Sequence, residues 1–184
     1  MNLELKKPSL SELWFRKQYM QDPDTMSYNS GYEVSYAGYD FDTGCIEFPE
    51  KNWETWYKKL NDTDFFYFYI YDKDIDEYVG SVDFHKIKDN EDYIGNNNDK
   101  NDYAMGIVIY SKFRNKGYMR PSMKLLIEKA KELNVKKLIN AVTVERKNAL
   151  RVFYELGFKK TDTFSVKKFK KPIDCEKIEL TLDK

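Results

Sequence analysis

The sequence lacks any window of roughly 18 uninterrupted apolar residues, the length a membrane-spanning helix needs. Its most apolar stretch, Phe65 to Tyr71, is the length of a strand. Cysteine occurs twice, at Cys45 and Cys175, with no CxxC pair. That count excludes a zinc ribbon and a disulfide framework, and two lone thiols suit a reducing compartment. No metal-ligating set is expected. Neither sign of charge is in excess, with 31 Lys plus Arg against 31 Asp plus Glu, where a nucleic-acid binder usually shows a basic surplus. The opening residues MNLELKKPSL hold no apolar run of the signal-peptide kind. There is no GxxxxGK[ST] and no GxGxxG, which removes the P-loop and dinucleotide-binding fingerprints. These absences point to a cytoplasmic protein with no membrane and no nucleic-acid partner.

Aromatic residues are abundant, at 16% with 15 Tyr and 12 Phe, so the composition is that of a packed protein. A length of 184 residues fits a single domain over 1–184 with a sizeable core. The most informative stretch is Met105 to Leu126, MGIVIYSKFRNKGYMRPSMKLL. Gly106 to Tyr110 reads as a strand rich in β-branched residues. Ser111 to Lys116 is a basic turn. A helix follows from near Gly117, with Met119, Met123, Leu126, Ile127, Ala130 and Leu133 on one stripe. Backbone N–H groups in the first turn of a helix lack intrahelical partners, and the helix dipole adds positive potential there. Such an end holds anions. Arg114, Lys116 and Arg120 would oppose the dipole unless an anion compensates them, so this stretch reads as a pyrophosphate grip.

Elsewhere, Leu3 to Lys6 reads as a strand. Leu10 to Met20 reads as a helix capped by Ser9 with Glu12 at capping-box spacing, its apolar residues Leu10, Leu13, Trp14 and Tyr19. Asp22-Pro23-Asp24 ends it. Residues 25–47 show no sustained period and read either as short paired strands or as a packed aromatic loop. Pro49 to Leu60 reads as a helix with Trp53, Trp56, Tyr57 and Leu60 on one face. Asn61-Asp62 turns the chain. Asp64 to Asp72 and Tyr78 to Ile87 form an antiparallel hairpin. Gly95 to Asn98 belongs to an exposed loop. Val135 to Val144 is a strand, and Ala149 to Leu156 a helix stopped at Gly157. Phe164 to Phe169 and Lys177 to Leu182 are strand-like, with Pro172 between them. Hairpins mixed with βαβ order argue an α+β fold with a mixed sheet.

Strand, KFRNKGYM, long helix, strand and NALRVFYELGF, in that order, resemble the GNAT superfamily of acetyl-CoA-dependent N-acetyltransferases. The resemblance implies a mixed, mostly antiparallel central sheet flanked by about four helices. It implies acetyl-CoA as cosubstrate, an amine acceptor and direct attack in a ternary complex, and it leaves room for a homodimer through the C-terminal strands. Of the family's pyrophosphate signature, Arg114 and Gly117 match, while Met119 stands where a small residue is usual. The resemblance assigns the backbone of Asn115, Lys116, Gly117, Tyr118, Met119 and Arg120 to the pyrophosphate. It assigns that of Ile107, Val108 and Ile109 to the pantetheine arm, in the manner of an added strand. In the second signature, Asn148 is a cofactor contact. The family's proton-donating tyrosine usually stands four residues before the glycine. Phe153 holds that place and Tyr154 stands one residue later, so Tyr154 is either the general acid or a structural aromatic.

Acetyl transfer needs a deprotonated amine and a donor for the developing oxyanion. A strand amide near Ile109 could serve as that donor. Asp83 and His85 share a strand face. His85 could be the base, or a satisfied packing residue, and Asp83 could hold the substrate ammonium. Asp102 is a further acidic candidate. Asp40, Asp42 and Glu47 could attract a cationic amine, or be a solvated loop. A non-catalytic module on the same fold, binding CoA or a partner, is the alternative reading.

Overall fold

Segments rich in Tyr, Phe, Val and Ile suit a pleated, half-buried surface, and there the strands form. The computed structural model describes residues 1–60, 64–88, 94, 98–99 and 101–182. Its strands are β1 (Leu3–Lys6), β2 (Phe65–Asp72), β3 (Glu77–Lys86), β4 (Tyr103–Ile109), β5 (Lys137–Thr143), β6 (Lys159–Lys168) and β7 (Lys171–Thr181). They form one sheet in the order β1-β2-β3-β4-β5-β7-β6. Only the β4–β5 neighbours run parallel. The helices are α1 (Leu13–Met20), α2 (Pro23–Met26), α3 (Trp53–Lys59), α4 (Met119–Glu132) and α5 (Lys147–Glu155). The α+β class and the mostly antiparallel sheet are as expected.

Strand alternation sends two kinds of side chain to two faces. On β3, Val82 and Phe84 are buried with Met123 and Leu126 of α4 and with Phe153 of α5. Ser81, Asp83 and His85 point the other way. That second face is covered by an aromatic layer in which Phe15 and Tyr19 of α1 pack with Tyr67, Tyr69 and Phe48. Its polar atoms are largely satisfied internally: Tyr19 and Tyr67 share a hydrogen bond of 2.7 Å, and the Ser81 hydroxyl donates to Tyr19 at 3.2 Å.

Several boundaries differ from expectation. A 3-10 turn, Leu10–Glu12, precedes α1, and Leu10 and Trp14 are exposed while Phe15 and Met20 are buried. The turn rotates the stripe away from the positions that a continuous helix would bury. The Ser9–Glu12 contact does form, the Ser9 amide donating to the Glu12 carboxylate at 2.7 Å. Asp22 also starts α2, accepting from the Thr25 amide at 3.0 Å. Pro172 does not separate the last strands. It lies in β7 opposite Lys167, and the turn is made by Phe169 and Lys170, both at positive φ. Residues 25–47 form a compact loop with one bridge, Tyr39 to Ile46, and the Tyr39 hydroxyl donates to the Asn29 carbonyl at 2.8 Å. Asn61-Asp62 and residues 95–97 of the Gly95 to Asn98 loop lie outside the described residues.

Candidate active site

The parallel pair is short. Tyr103 pairs with Leu138 and Ala104 with Ile139, and no further β4–β5 pair forms. Beyond it, β4 stays with β3 as far as Ile109 opposite Gly80, while β5 stays with β7 as far as Thr143 opposite Cys175. The two strands therefore splay, opening a cleft of about 710 Å³ in the middle of the sheet. Gly106 to Ile109 form one wall and Asn140 to Val142 the other.

The register decides which main-chain groups are available. Tyr110 donates to Val79 at 3.0 Å. Antiparallel pairing alternates. Hence Val108 and Gly106 bond to β3, whereas the N–H and C=O of Ile107 and Ile109 turn into the cleft. The expected trio thus divides: Ile107 offers its N–H and C=O, Ile109 its N–H alone because Arg114 holds its carbonyl, and Val108 bonds to β3.

At the end of β4 the chain enters α4 through Ser111 to Tyr118. Asn115 and Gly117 have positive φ, 60° and 83°, and space around Gly117 is open. No side chain caps the N-terminus of α4. The amides of Met119 and Arg120 therefore lack intrahelical partners, and Pro121 has no N–H to lose. Asn115, Gly117, Tyr118, Met119 and Arg120 line the cleft, while Lys116 lies outside its lining, with its Nζ 5.4 Å from the Phe113 ring centroid. Met119 also packs against the core, so its length is absorbed along the helix stripe. Tyr118 anchors the loop: it is buried, and its hydroxyl donates to Asp72 at 2.8 Å. Burial and that carboxylate push the phenol up to about 12.

Arg114 lines the cleft and also ties neighbouring main chain together. Its guanidinium donates to the Asp24 carbonyl at 2.7 Å, the Thr25 carbonyl at 2.6 Å and the Ile109 carbonyl at 3.2 Å. Nearby, Ser111 donates to Asp22 at 2.6 Å, and the Ser111 amide donates to the Thr25 hydroxyl at 2.8 Å. Burial would raise the pKa of Asp22, but the bonds from Ser111 and Thr25 outweigh it and hold the carboxyl below its ordinary range. These contacts clamp residues 22–29 onto the end of β4, and Tyr28 reaches the cleft as a result.

Asp83 enters the cleft from the aromatic face. It pairs across the sheet with Gly106, and a Cβ on Gly106 would stand 2.8 Å from its Oδ1. Glycine is what lets the carboxylate lie against β4. His85 is not in the cleft lining. Its Nδ1 is 3.8 Å from Asp83 Oδ2, and its ring meets Phe65 edge-on at 6.1 Å. Asp102 is buried at the other end of β4 and pairs with Lys137 at 3.2 Å. Asp40 spends its carboxylate on the Thr43 amide at 2.8 Å, and none of Asp40, Asp42 and Glu47 lines the cleft.

A profile of the acetyltransferase (GNAT) family matches residues 29–158. The chain belongs to the GNAT acetyltransferase family. As such it is an N-acetyltransferase with acetyl-CoA as acetyl donor. Its fold is shared by the spermidine N-acetyltransferase of Vibrio cholerae, solved with CoA and spermine, at TM-score 0.74, 19% identity and coverage of 98% of this chain and 96% of that one. It is shared too by an N-acetyltransferase from Staphylococcus aureus Mu50, at TM-score 0.72, 16% identity and 100% coverage of both chains. yncA from Salmonella typhimurium, solved with acetyl-CoA, aligns at TM-score 0.70 and 14% identity, over 100% of this chain and 96% of that one. A search of curated protein sequences returns no match.

The GNAT second signature falls on α5. Asn148 and Val152 line the cleft, as does Phe153, which is also buried in the core. Tyr154 turns away: it is 40% exposed, does not line the cleft and bonds to Glu176 on β7. One residue along a helix is a rotation of about 100°, which carries Tyr154 off the face that Phe153 presents. Burial and the Glu176 carboxylate push its phenol up to about 12. Tyr28, Asn140 and Arg146 also line the cleft, and the sequence reading did not single them out. The splaying of β4 from β5 brings them there, and splaying leaves no periodic trace. No helix among the described residues is long and apolar enough to cross a membrane.

Proposed function

We propose that this GNAT protein acetylates a primary amine by direct attack within a ternary complex, using Asp83 to receive the amine. The observation that carries the reading is the splayed cleft. It joins an uncapped helix N-terminus, a free β4 edge and one carboxylate from the opposite layer. The fit to acetyl-CoA rests on those donors. The amides of Asn115 to Arg120 suit the pyrophosphate, the Ile107 and Ile109 main chain suits the pantetheine amides, and Asn148 adds a side-chain contact. Bound there, acetyl-CoA supplies the thioester acyl group.

This chain's residues then have separate tasks. Asp83 holds the ammonium and takes its proton, directly or through one water. His85, its Nδ1 3.8 Å from Asp83 Oδ2, stands behind that carboxylate and outside the cleft lining. The Ile109 amide, facing the cleft, donates to the oxygen on which negative charge develops. Phe153 carries no proton and Tyr154 points elsewhere, so α5 supplies no general acid. A thiolate is a stable enough leaving group to depart without one.

The balanced charge supports a reading with no nucleic-acid partner, and the two free thiols support a cytoplasmic one. The continuous sheet supports one domain over 1–184, and the outer edge of β6 suits pairing with a second copy. A thiol-release assay with acetyl-CoA over a panel of amines tests the activity. CoA release that depends on both amine and Asp83 is expected. Stabilisation by CoA with no release for any amine would instead make the chain a non-catalytic CoA-binding module. Stabilisation by ATP but not by CoA would overturn both readings.

A further inference from the structure

We infer that the acceptor amine carries its own anionic group, a carboxylate or phosphate on the same small molecule, with Arg146 binding the anion while Asp83 binds the amine. This rests on the acetyl-transfer reading above. Most of the charges in the cleft are already used. Glu155 pairs with Arg120 and lies 4.0 Å from Arg151. Arg114 spends its donors on three main-chain carbonyls. Among the described residues that leaves Arg146 with no carboxylate and Asp83 with no lysine or arginine in ion-pair reach, although Asp83 lies in the field of the buried Arg16 and favours its charged form.

Both charges line the cleft together with Tyr28. Tyr28 lies in the field of both: burial raises its pKa to about 12, Tyr19 and then Asp83 add to the rise, and Arg16 and then Arg146 oppose it. The Arg146 guanidinium sits 5.7 Å from the Tyr28 ring centroid. A second cation backs it, since Lys168 donates from Nζ to the Tyr28 carbonyl at 3.3 Å. Crowding by protein atoms lowers the pKa of Lys168, and Arg146 lowers it further. Arg146 is open to solvent along the cleft, although surrounding protein and then Arg114 depress its pKa. A cation repelled by its neighbours and facing an open cleft attracts an anion. With Asp83 lining the same cleft, the cleft complements a zwitterion rather than a polycation. A guanidinium also matches carboxylate and phosphate geometry bidentately.

The test compares matched pairs at saturating acetyl-CoA: the standard α-amino acids against their decarboxylated amines, O-phosphoethanolamine against ethanolamine, with spermidine as a polycation. For at least one pair, the anionic member should show a kcat/KM about tenfold or more above its partner. Arg146→Gln should collapse that ratio toward one while leaving acetyl-CoA affinity within about twofold, and Arg146→Lys should restore part of it. Preference for decarboxylated amines or spermidine overturns the inference. So does an Arg146→Gln variant that loses acetyl-CoA affinity with the ratio intact, because Arg146 then serves the cofactor. Thermal shift of the CoA-saturated protein with the same pairs separates the two levels. Selective stabilisation by the anionic members with no turnover sinks acetyl transfer and keeps the anion site. Stabilisation by none of them sinks the anion site.

Discussion

The two sides of the cleft are built on different principles. The side proposed for the cofactor, from β4 through the Ser111–Tyr118 turn into α4, offers main-chain groups: free amides at the helix start and an unpaired strand edge. The side proposed for the acceptor offers side chains drawn from distant segments: Asp83 from β3, Tyr28 from the loop after α2 and Arg146 from the turn after β5. A main-chain site tolerates substitution, which is why Met119 can replace a small residue without closing the cleft. A side-chain site does not, and there single changes should cost most.

The largest expected effect is therefore at Asp83. Asp83→Asn keeps the shape and removes the charge and the base, so kcat/KM for the amine should fall by about 10²- to 10³-fold. Acetyl-CoA affinity, measured by titration, should stay within about twofold. A matching loss of acetyl-CoA affinity would mean that the two sides are not separate. Gly106→Ala sharpens the same point through the backbone. A methyl group 2.8 Å from the Asp83 carboxylate must push it aside. A loss of about tenfold in kcat/KM should follow, corresponding to about 1.4 kcal/mol of transition-state stabilisation.

The strand, turn and helix on the proposed cofactor side were legible in the sequence because they follow local secondary structure. The β-branched run, the single glycine in a basic turn and the 3.6-residue stripe located β4, the turn at Gly117 and the start of α4. One residue of that stretch was legible in position and not in role. Arg114 reads as a phosphate ligand by spacing, yet it clamps the carbonyls of Asp24 and Thr25. On the opposite side of the cleft, alternation on β3 singled out Asp83, which does line the cleft. Tyr28 sits in a segment with no period, and Arg146 looks like any turn residue. What assembles them is the divergence of β4 and β5, a tertiary event. The turn of the C-terminal hairpin was misplaced at Pro172 for a local reason: Phe169 and Lys170 adopt positive φ without glycine or asparagine, which sequence signals for turns do not anticipate.

A smaller effect, on stability, is expected where the main-chain side is anchored. Tyr118→Phe removes the hydroxyl that donates to buried Asp72 and should cost about 1–3 kcal/mol, read from denaturant unfolding. Burial acts to raise the Asp72 pKa, but the bonds from Tyr118 and the Asp74 amide prevail and hold it below its ordinary value. A depressed carboxylate contributes stability that is present above its unfolded pKa and is lost as pH falls through the folded one. The gap between wild type and Tyr118→Phe should thus be full at neutral pH and narrow below about pH 4. A gap that is constant down to acid pH would show that packing, not the bond to Asp72, anchors the loop.

The smallest effect is expected at Tyr154, and it tests whether α5 belongs to the chemistry at all. The hydroxyl faces Glu176 on the outer side of the helix and the side chain is 40% exposed. Tyr154→Phe breaks that bond, frees Glu176 to pair with Lys160 alone, which it already meets at 3.3 Å, and leaves the cleft lining untouched. The rate of CoA release should change by less than about twofold and stability by about 0.5 kcal/mol. Were Tyr154 instead the donor to the departing thiolate, kcat should drop by about 10²-fold or more, with the loss growing for poorer amines. That outcome would require α5 to rotate by about one residue on substrate binding, because Phe153 now occupies the inward position. A double variant separates the two cases. Introducing a hydroxyl at the inward position, Phe153→Tyr in the Tyr154→Phe background, should raise kcat only if the site gains from an acid that its present sequence does not place there.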